Sequence, residues 1–355
     1  MKLKFAIIGC GRISKRHLQI LTSGQWPNIE LVSVVDIDKT KAEEASNDFN
    51  IPFFLNIDNM ISSVGFDVGV VLTESGKHFE VAMQLIESGK HVIIEKPMCL
   101  RIEEGEKLVK TAKNHGVRIF TVKQNRYNKP VIKLKEALDQ GRFGKLVIGT
   151  IRVRWSRNET YYGLANWRGT WAMDGGALTN QASHHIDLLE YMMGPVKSIC
   201  AKSITALAPI EAEDTVVASV EFENGALGTI EATTATRPKD LEGSISVLGS
   251  GGSVEISGFA VNKIKHWEFC QGSQDDQLVS DSFSENPPSV YGYGHNAFYK
   301  SVIDSIVLDK PHPLEGDEGV KSLRLIHAIY ESINTSAPVN IKSTNKYKNS
   351  KLGLR

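Results

Sequence analysis

The hexapeptide Gly9-Cys10-Gly11-Arg12-Ile13-Ser14 constrains this chain more than any other stretch. It follows the apolar run Phe5-Ala6-Ile7-Ile8, which reads as a buried strand, and precedes a predicted helix over 15–22. In such a strand–turn–helix unit the first glycine makes the tight turn. The second lets the backbone approach a pyrophosphate at the helix N-terminus. Serine stands at the third, helix-packing position. A G-x-G pair alone is a weak signal, but a second strand over 31–35 ends in Asp36, 22 residues beyond Ser14. An acid at that distance accepts the ribose hydroxyls of an adenosine and repels a 2′-phosphate, which favours NAD over NADP. The competing role for Asp36 is to cap the next helix, a role that Asp38 suits at least as well.

Strand and helix then alternate. Strands are predicted over 67–72, 91–94 and 117–122, with helices over 80–88 and 103–114 between them. That period implies a doubly wound parallel sheet. Thr73, Glu74 and His78 follow the fourth strand and are expected to line the cofactor cleft, His78 as a contact or as an N-terminal helix residue. The run His91-Val92-Ile93-Ile94 empties into Glu95-Lys96-Pro97. Ligands of an open α/β sheet sit beyond the carboxyl ends of its strands. An ammonium there can bond a substrate hydroxyl or favour a developing alkoxide, and Lys96 is the candidate.

From about residue 146 the pattern changes to longer alternating strands, over 146–154, 196–205, 215–222, 227–234, 243–248 and 253–256. Asn224-Gly225 and Ser250-Gly251-Gly252 are hairpin turns. This predicts a large, mostly antiparallel open sheet in a C-terminal α+β domain behind the N-terminal α/β one. The expected limits are 1–125 for the nucleotide domain and 126–340 for the substrate and oligomerisation domain. Residues 341–355 are left as a basic tail, taken as solvated. Helices over 297–308 and 318–333 pack late.

The 41 basic and 41 acidic residues cancel, so no bulk field draws the chain to nucleic acid or to an anionic membrane. Any anionic ligand must meet local cations. No stretch approaches the ~20 apolar residues of a membrane span. The four cysteines, Cys10, Cys99, Cys200 and Cys270, lack zinc or disulfide spacing. A cytoplasmic enzyme without a metal is expected.

The second domain carries Asp174-Gly175-Gly176 and then a predicted helix over 177–189. Asn180 and His184 are four apart and so share a face, and Asp187 lies three further on. A histidine can take a proton from a hydroxyl near neutral pH, and a carboxylate can orient it. The alternative is a histidine hydrogen-bonded inside a domain seam. His184 and His185 cannot both face one cleft, so at least one is expected to be structural.

Gly9-x-Gly11, Glu95-Lys96-Pro97 and the Gly-Gly…His184…Asp187 segment together resemble the glucose-fructose oxidoreductase/inositol dehydrogenase (Gfo/Idh/MocA) family, from residue 3 to about 335. The resemblance implies a Rossmann domain plus an open-sheet domain, and oxidation of a sugar or cyclitol hydroxyl with a nicotinamide cofactor. It also implies a homotetramer or homodimer formed through the exposed sheet face. Implied cofactor contacts are Gly9, Gly11, Arg12, Ile13, Asp36, Thr73, His78, Glu95, Lys96 and Gln124.

Four further stretches are similar to one group in the family, the UDP-N-acetyl-2-amino-2-deoxyglucuronate dehydrogenases of O-antigen synthesis. They are Val122-Lys123-Gln124-Asn125-Arg126-Tyr127-Asn128, Arg152-Val153-Arg154-Trp155, Trp167-Arg168-Gly169-Thr170-Trp171 and Thr179-Asn180-Gln181-Ala182-Ser183-His184-His185. That similarity implies oxidation of the C3′ hydroxyl of UDP-N-acetyl-D-glucosaminuronic acid (UDP-GlcNAcA) to a 3-keto sugar, with 2-oxoglutarate as second substrate for reoxidising bound nucleotide. Implied substrate contacts are Lys96, Arg126, Asn128, Arg168, Asn180 and His184. Arg126 and Arg168 are preferred over Arg152, Arg154 and Arg157 for the anionic groups, because each sits in a polar-aromatic loop. Tyr161, Tyr162 and Tyr291-Gly292-Tyr293-Gly294-His295 either stack on uracil, clasp a neighbouring subunit or pack as loops.

The family's usual D-x-G-x-H reads here Asn180-x-Ala182-x-His184. An amide cannot act as a general base, so Asn180 holds a hydroxyl and His184 is the candidate base, with Lys96 on the same oxygen. The reverse assignment requires a depressed lysine pKa. An inositol or simple-sugar dehydrogenase and a non-catalytic nucleotide-binding sensor are the rival readings.

Overall fold

A computed structural model of the chain describes residues 2–283, 294–341, 347 and 350–354. It divides into two compact units, Met1–Val122 with Phe298–Val320, and Lys123–Ala297 with Lys321–Arg355. The first crossing falls close to the expected boundary at 125. The expectation of one continuous stretch per domain is corrected, because a late segment returns to the first unit. Among the described residues no helix is long and apolar enough to cross a membrane.

The first unit holds a six-stranded sheet of β1 (Leu3–Ile8), β2 (Ile29–Val35), β3 (Phe53–Phe54), β4 (Val68–Val71), β5 (His91–Ile94) and β6 (Ile119–Thr121). The spatial order is β3-β2-β1-β4-β5-β6 with every pairing parallel. Order reverses between β1 and β4, which is where a doubly wound sheet opens its ligand crevice. The strands are short apolar runs because both sheet faces are covered. The returning segment finishes the β6 edge. Thr121 N donates to Leu314 C=O at 3.3 Å, and Phe120 bridges Glu315. Arg118 pairs with Glu315 and donates to the Ser305 and Lys310 carbonyls at 2.7 and 2.6 Å.

The second unit is built on β7 (Leu146–Arg154), β8 (Val196–Ile204), β9 (Thr215–Phe222), β10 (Leu227–Thr233), β11 (Glu242–Gly249), β12 (Gly252–Ser257), β13 (Lys263–Phe269) and β14 (Val339–Asn340). Their order is β13-β12-β11-β7-β10-β9-β8-β14, and only the β7–β10 pair is parallel. One face buries Ile151, Val153, Ile230, Ala232, Ile245 and Val247 under the helix Ser183–Met193, which packs on β7 and β11. The other face carries Thr150, Thr229 and the ion pairs of Arg152 and Arg154 with Glu231 and Glu242.

The basic tail is corrected in part. Tyr347 is buried and stacks on His327, with ring centroids 6.4 Å apart. Leu352 is 1% exposed, and Gly353 N donates to Trp171 C=O at 2.8 Å. One ring stack, one buried leucine and one backbone hydrogen bond thus hold this segment on the unit, while its one described lysine, Lys351, stays exposed. Lys342, Lys346, Lys348 and Arg355 lie outside the described residues, as do Tyr291, Gly292 and Tyr293.

Candidate active site

In the first unit, Gly9 ends β1 at φ +102°, and a Cβ there would lie 2.7 Å from the Leu72 backbone. Only glycine allows that approach. Beside Gly11 nothing lies within 4 Å of the place a Cβ would take, so the turn is open where a diphosphate would meet it. Ser14 Oγ donates to Gly11 C=O at 2.6 Å and locks the start of the helix Ser14–Leu21. Arg12 is exposed and Ile13 half-buried at this turn.

The two acids after β2 divide the roles. Asp38 caps the helix Lys39–Phe49, accepting from Thr40 N and Lys41 N. Asp36 accepts from Cys10 N at 2.7 Å and from Asp38 N at 2.8 Å, so its carboxylate sits against the glycine turn. The cradle fits a dinucleotide.

Beyond β4 and β5 the loops are tied together. His78 is buried, its Nδ1 2.7 Å from Pro97 C=O and its Nε2 3.0 Å from Thr73 C=O. Both ring nitrogens of His78, expected at the cofactor cleft, thus hold backbone. Burial also lowers its pKa.

Glu95 is likewise engaged internally. Its Oε1 lies 3.1 Å from His17 Nε2, and its Oε2 accepts from Lys96 N at 3.0 Å. His17 Nδ1 lies 2.6 Å from the Tyr299 hydroxyl. A buried chain from the helix Gly294–Val307 through the helix Ser14–Leu21 thus fixes the backbone of Lys96, at the carboxyl end of β5.

In the second unit the helix predicted over 177–189 is split. Ala182 N donates to Ala177 C=O at 2.8 Å, a wide i→i+5 turn over Ala177–Gln181, and the regular helix Ser183–Met193 follows. Such turns concentrate at functional sites. The simple four-residue argument that put Asn180 and His184 on one face therefore does not apply.

Glu213 makes this turn. Its backbone carbonyl accepts from Ala177 N and its Oε1 from Leu178 N, both at 2.9 Å. A Cβ on Gly176 would fall 2.2 Å from Glu213 atoms. Burial pushes the Glu213 carboxyl up to about 7. Nothing local in the sequence announces this acid, which lies 35 residues beyond Leu178.

His184 Nε2 lies 3.0 Å from the Gln124 amide nitrogen, which donates and leaves the ring proton on Nδ1. Gln124, expected at the cofactor, is the group set against the candidate base. Asp187, expected to orient that base, is bonded to Lys123 Nζ at 2.6 Å and bidentately to Arg126 at 2.7 Å, and accepts from Ser322 at 3.0 Å. Burial works to raise its carboxyl, but the two cations overcome it and hold it far below the usual carboxylate range. Arg126, expected as an anion ligand, holds Asp187 with Nε and one terminal nitrogen. Asn128, expected at the substrate, is buried, and its amide nitrogen donates to the Ala260 and Val261 carbonyls. Neither pairing was visible in the sequence, where the partners stand 61 and 132 residues apart.

Arg168 differs from the other four arginines. Arg152, Arg154 and Arg157 have carboxylate partners, as Arg126 does. Arg168 donates to the Tyr161 hydroxyl at 2.6 Å, and its buried Nε has no hydrogen-bond partner among the described residues. Tyr161 also receives the Gln181 amide at 3.3 Å, which connects the guanidinium to the turn that bears Asn180. Tyr162 packs as a loop residue, its hydroxyl on Thr234 at 3.1 Å. His185 is 0% exposed and lies edge-on to Trp155.

Residues 3–123 match the NAD-binding Rossmann fold of the Gfo/Idh/MocA oxidoreductase family, and residues 135–341 match its C-terminal alpha/beta domain. The chain belongs to this family. It is an NAD-dependent Gfo/Idh/MocA oxidoreductase. Solved relatives include the WlbA dehydrogenase from Bordetella pertussis in complex with NADH and UDP-GlcNAcA, 39% identical over 96% of this chain and 99% of that one, with a TM-score of 0.88. The WlbA dehydrogenase from Chromobactrium violaceum, also with NADH and UDP-GlcNAcA, is 39% identical over 96% of both chains, with a TM-score of 0.89. Among curated relatives, myo-inositol 2-dehydrogenase of Thermotoga maritima is 23% identical over 96% of this chain and 99% of its own length.

Proposed function

We propose that this Gfo/Idh/MocA oxidoreductase oxidises the C3′ hydroxyl of UDP-GlcNAcA to the 3-keto sugar. The observation that carries the reading is Arg168, a cation with no carboxylate partner among the described residues, joined through Tyr161 to the turn that bears Asn180. A neutral chain has to hold a uronate or diphosphate with such a group. The likeness to two WlbA dehydrogenases crystallised with that sugar supports it.

In this reading Gly9, Gly11, Arg12, Ile13 and Thr73 hold the dinucleotide, and Asp36 accepts its ribose hydroxyls. Bound nicotinamide supplies the hydride acceptor for the oxidised carbon. His184 takes the hydroxyl proton on Nε2, the substrate hydroxyl displacing the Gln124 amide that occupies that nitrogen here. Lys96 donates to the same oxygen and stabilises the charge that develops there. Asn180 holds a hydroxyl of the sugar, and Arg168 an anionic group.

A second reading, a neutral sugar or cyclitol as substrate, is favoured by the internal pairing of Arg126 and by the inositol dehydrogenases among the relatives. The deciding experiment incubates the protein with UDP-GlcNAcA, with and without 2-oxoglutarate, and looks for the 3-keto product and 2-hydroxyglutarate by mass spectrometry. Product formation with KM raised by Arg168→Gln supports the nucleotide sugar. Turnover of myo-inositol but not of UDP-GlcNAcA replaces it with the second reading. Product dependent on 2-oxoglutarate adds it as second substrate, with the homotetramer or homodimer left to a separate sizing measurement.

A further inference from the structure

The Asn180 amide nitrogen donates to Asp174 Oδ1 at 2.5 Å, while Asp174 Oδ2 accepts from Gly169 N at 2.8 Å. Asp174 is buried. A carboxylate offers acceptors only, so it selects which end of a neighbouring amide it will face. The Asn180 nitrogen is thereby turned toward Asp174 and its oxygen away from it.

We propose that Asp174 is a positioning residue that presents the Asn180 oxygen, and not its nitrogen, to the ligand. The proposal rests on Asn180 being a substrate contact, as read above. It deepens that reading by naming what Asn180 recognises, namely a hydrogen-bond donor. A hydroxyl carries one proton. If His184 takes the proton of the reacting hydroxyl, the donor on Asn180 is a second group of the substrate, a hydroxyl or amide N–H. The substrate class is then a sugar with a hydrogen-bond donor besides the hydroxyl that is oxidised.

The same geometry explains the amide at position 180. A carboxylate there would stand within hydrogen-bond distance of Asp174, and two carboxylates so placed cannot both ionise. Glu213 is a further buried acid close by, raised by its burial and then by the Asp174 charge, and Tyr162 feels that charge as well. An amide supplies the acceptor oxygen without another negative charge.

Steady-state kinetics on UDP-GlcNAcA test this with D174N, N180D and the D174N/N180D exchange. Each single variant is expected to lose about tenfold or more in kcat/KM, D174N mainly through KM for the sugar, with NAD affinity unchanged. The exchange restores one donor and one acceptor with places reversed and recovers most of the loss. An exchange no better than the worse single variant overturns the proposal. If the wild type does not turn over this sugar, the substrate reading falls separately. Thermal denaturation then judges the pair, with recovery of Tm in the exchange supporting it and additive losses overturning it.

Discussion

His184 and His185 adjoin in the chain and have opposite surroundings. His184 is half-buried and set against Gln124, whereas His185 is fully buried with neither ring nitrogen hydrogen-bonded among the described residues. Burial drives the His185 pKa down to about 3. An unfolded histidine titrates near 6.5, so below that value the unfolded chain binds a proton that the folded one rejects. The stability is therefore full above about pH 6.5 and drains as the pH falls. Urea denaturation of His185→Phe, which keeps a ring against Trp155, is expected to show a drop from pH 7 to pH 5 smaller by about 2 kcal/mol than in the wild type. Lys96→Ala and His184→Ala should each slow turnover about 100- to 10,000-fold while NAD binding stays near normal. Turnover within a few-fold of wild type would remove that side chain from the chemistry.

At the scale of elements, the strand-to-turn junctions were legible and the long-range caps were not. Gly9, Asp36, Lys96 and the β1–β6 alternation are local patterns, set by the two-residue period of strands and the backbone freedom of glycine. The wide turn over Ala177–Gln181 carries apolar residues that read as an ordinary helix, and what widens it is an acid from a distant segment. The pairing of Asp187 with Lys123 and Arg126 was hidden in the same way, because charge alone does not say which partner burial will choose. The turn makes its own prediction. Glu213→Gln keeps an acceptor for Leu178 N and should cost less stability than Glu213→Ala, which leaves a buried donor unpaired at about 1–3 kcal/mol. Equal losses in chemical denaturation would remove the capping role of Glu213. Tyr330→Phe, which deletes a hydroxyl 3.1 Å from both carboxylate oxygens, should fall between wild type and Glu213→Ala.

Across the whole molecule, each unit is completed by chain from far along the sequence. Leu352 packs against the Gly175 region, with its Cδ1 2.9 Å from where a Cβ on Gly175 would sit. Leu352→Ala is expected to lower unfolding free energy by about 2–5 kcal/mol in urea titration, the usual cost of emptying a buried leucine site. An effect near zero would return the tail to solvent. The first unit waits longer for its last piece. Translation adds about 5–20 residues per second, and the returning segment ends at residue 320, against 122 for the first stretch. For roughly 10–40 s after β6 has been made, the nascent chain therefore carries a strand edge whose partners at Leu314 and Glu315 do not yet exist. An unpaired strand edge is a template for aggregation. The edge of β6 is thus open to misassembly on the ribosome in a way that it is not once residues 298–320 have returned.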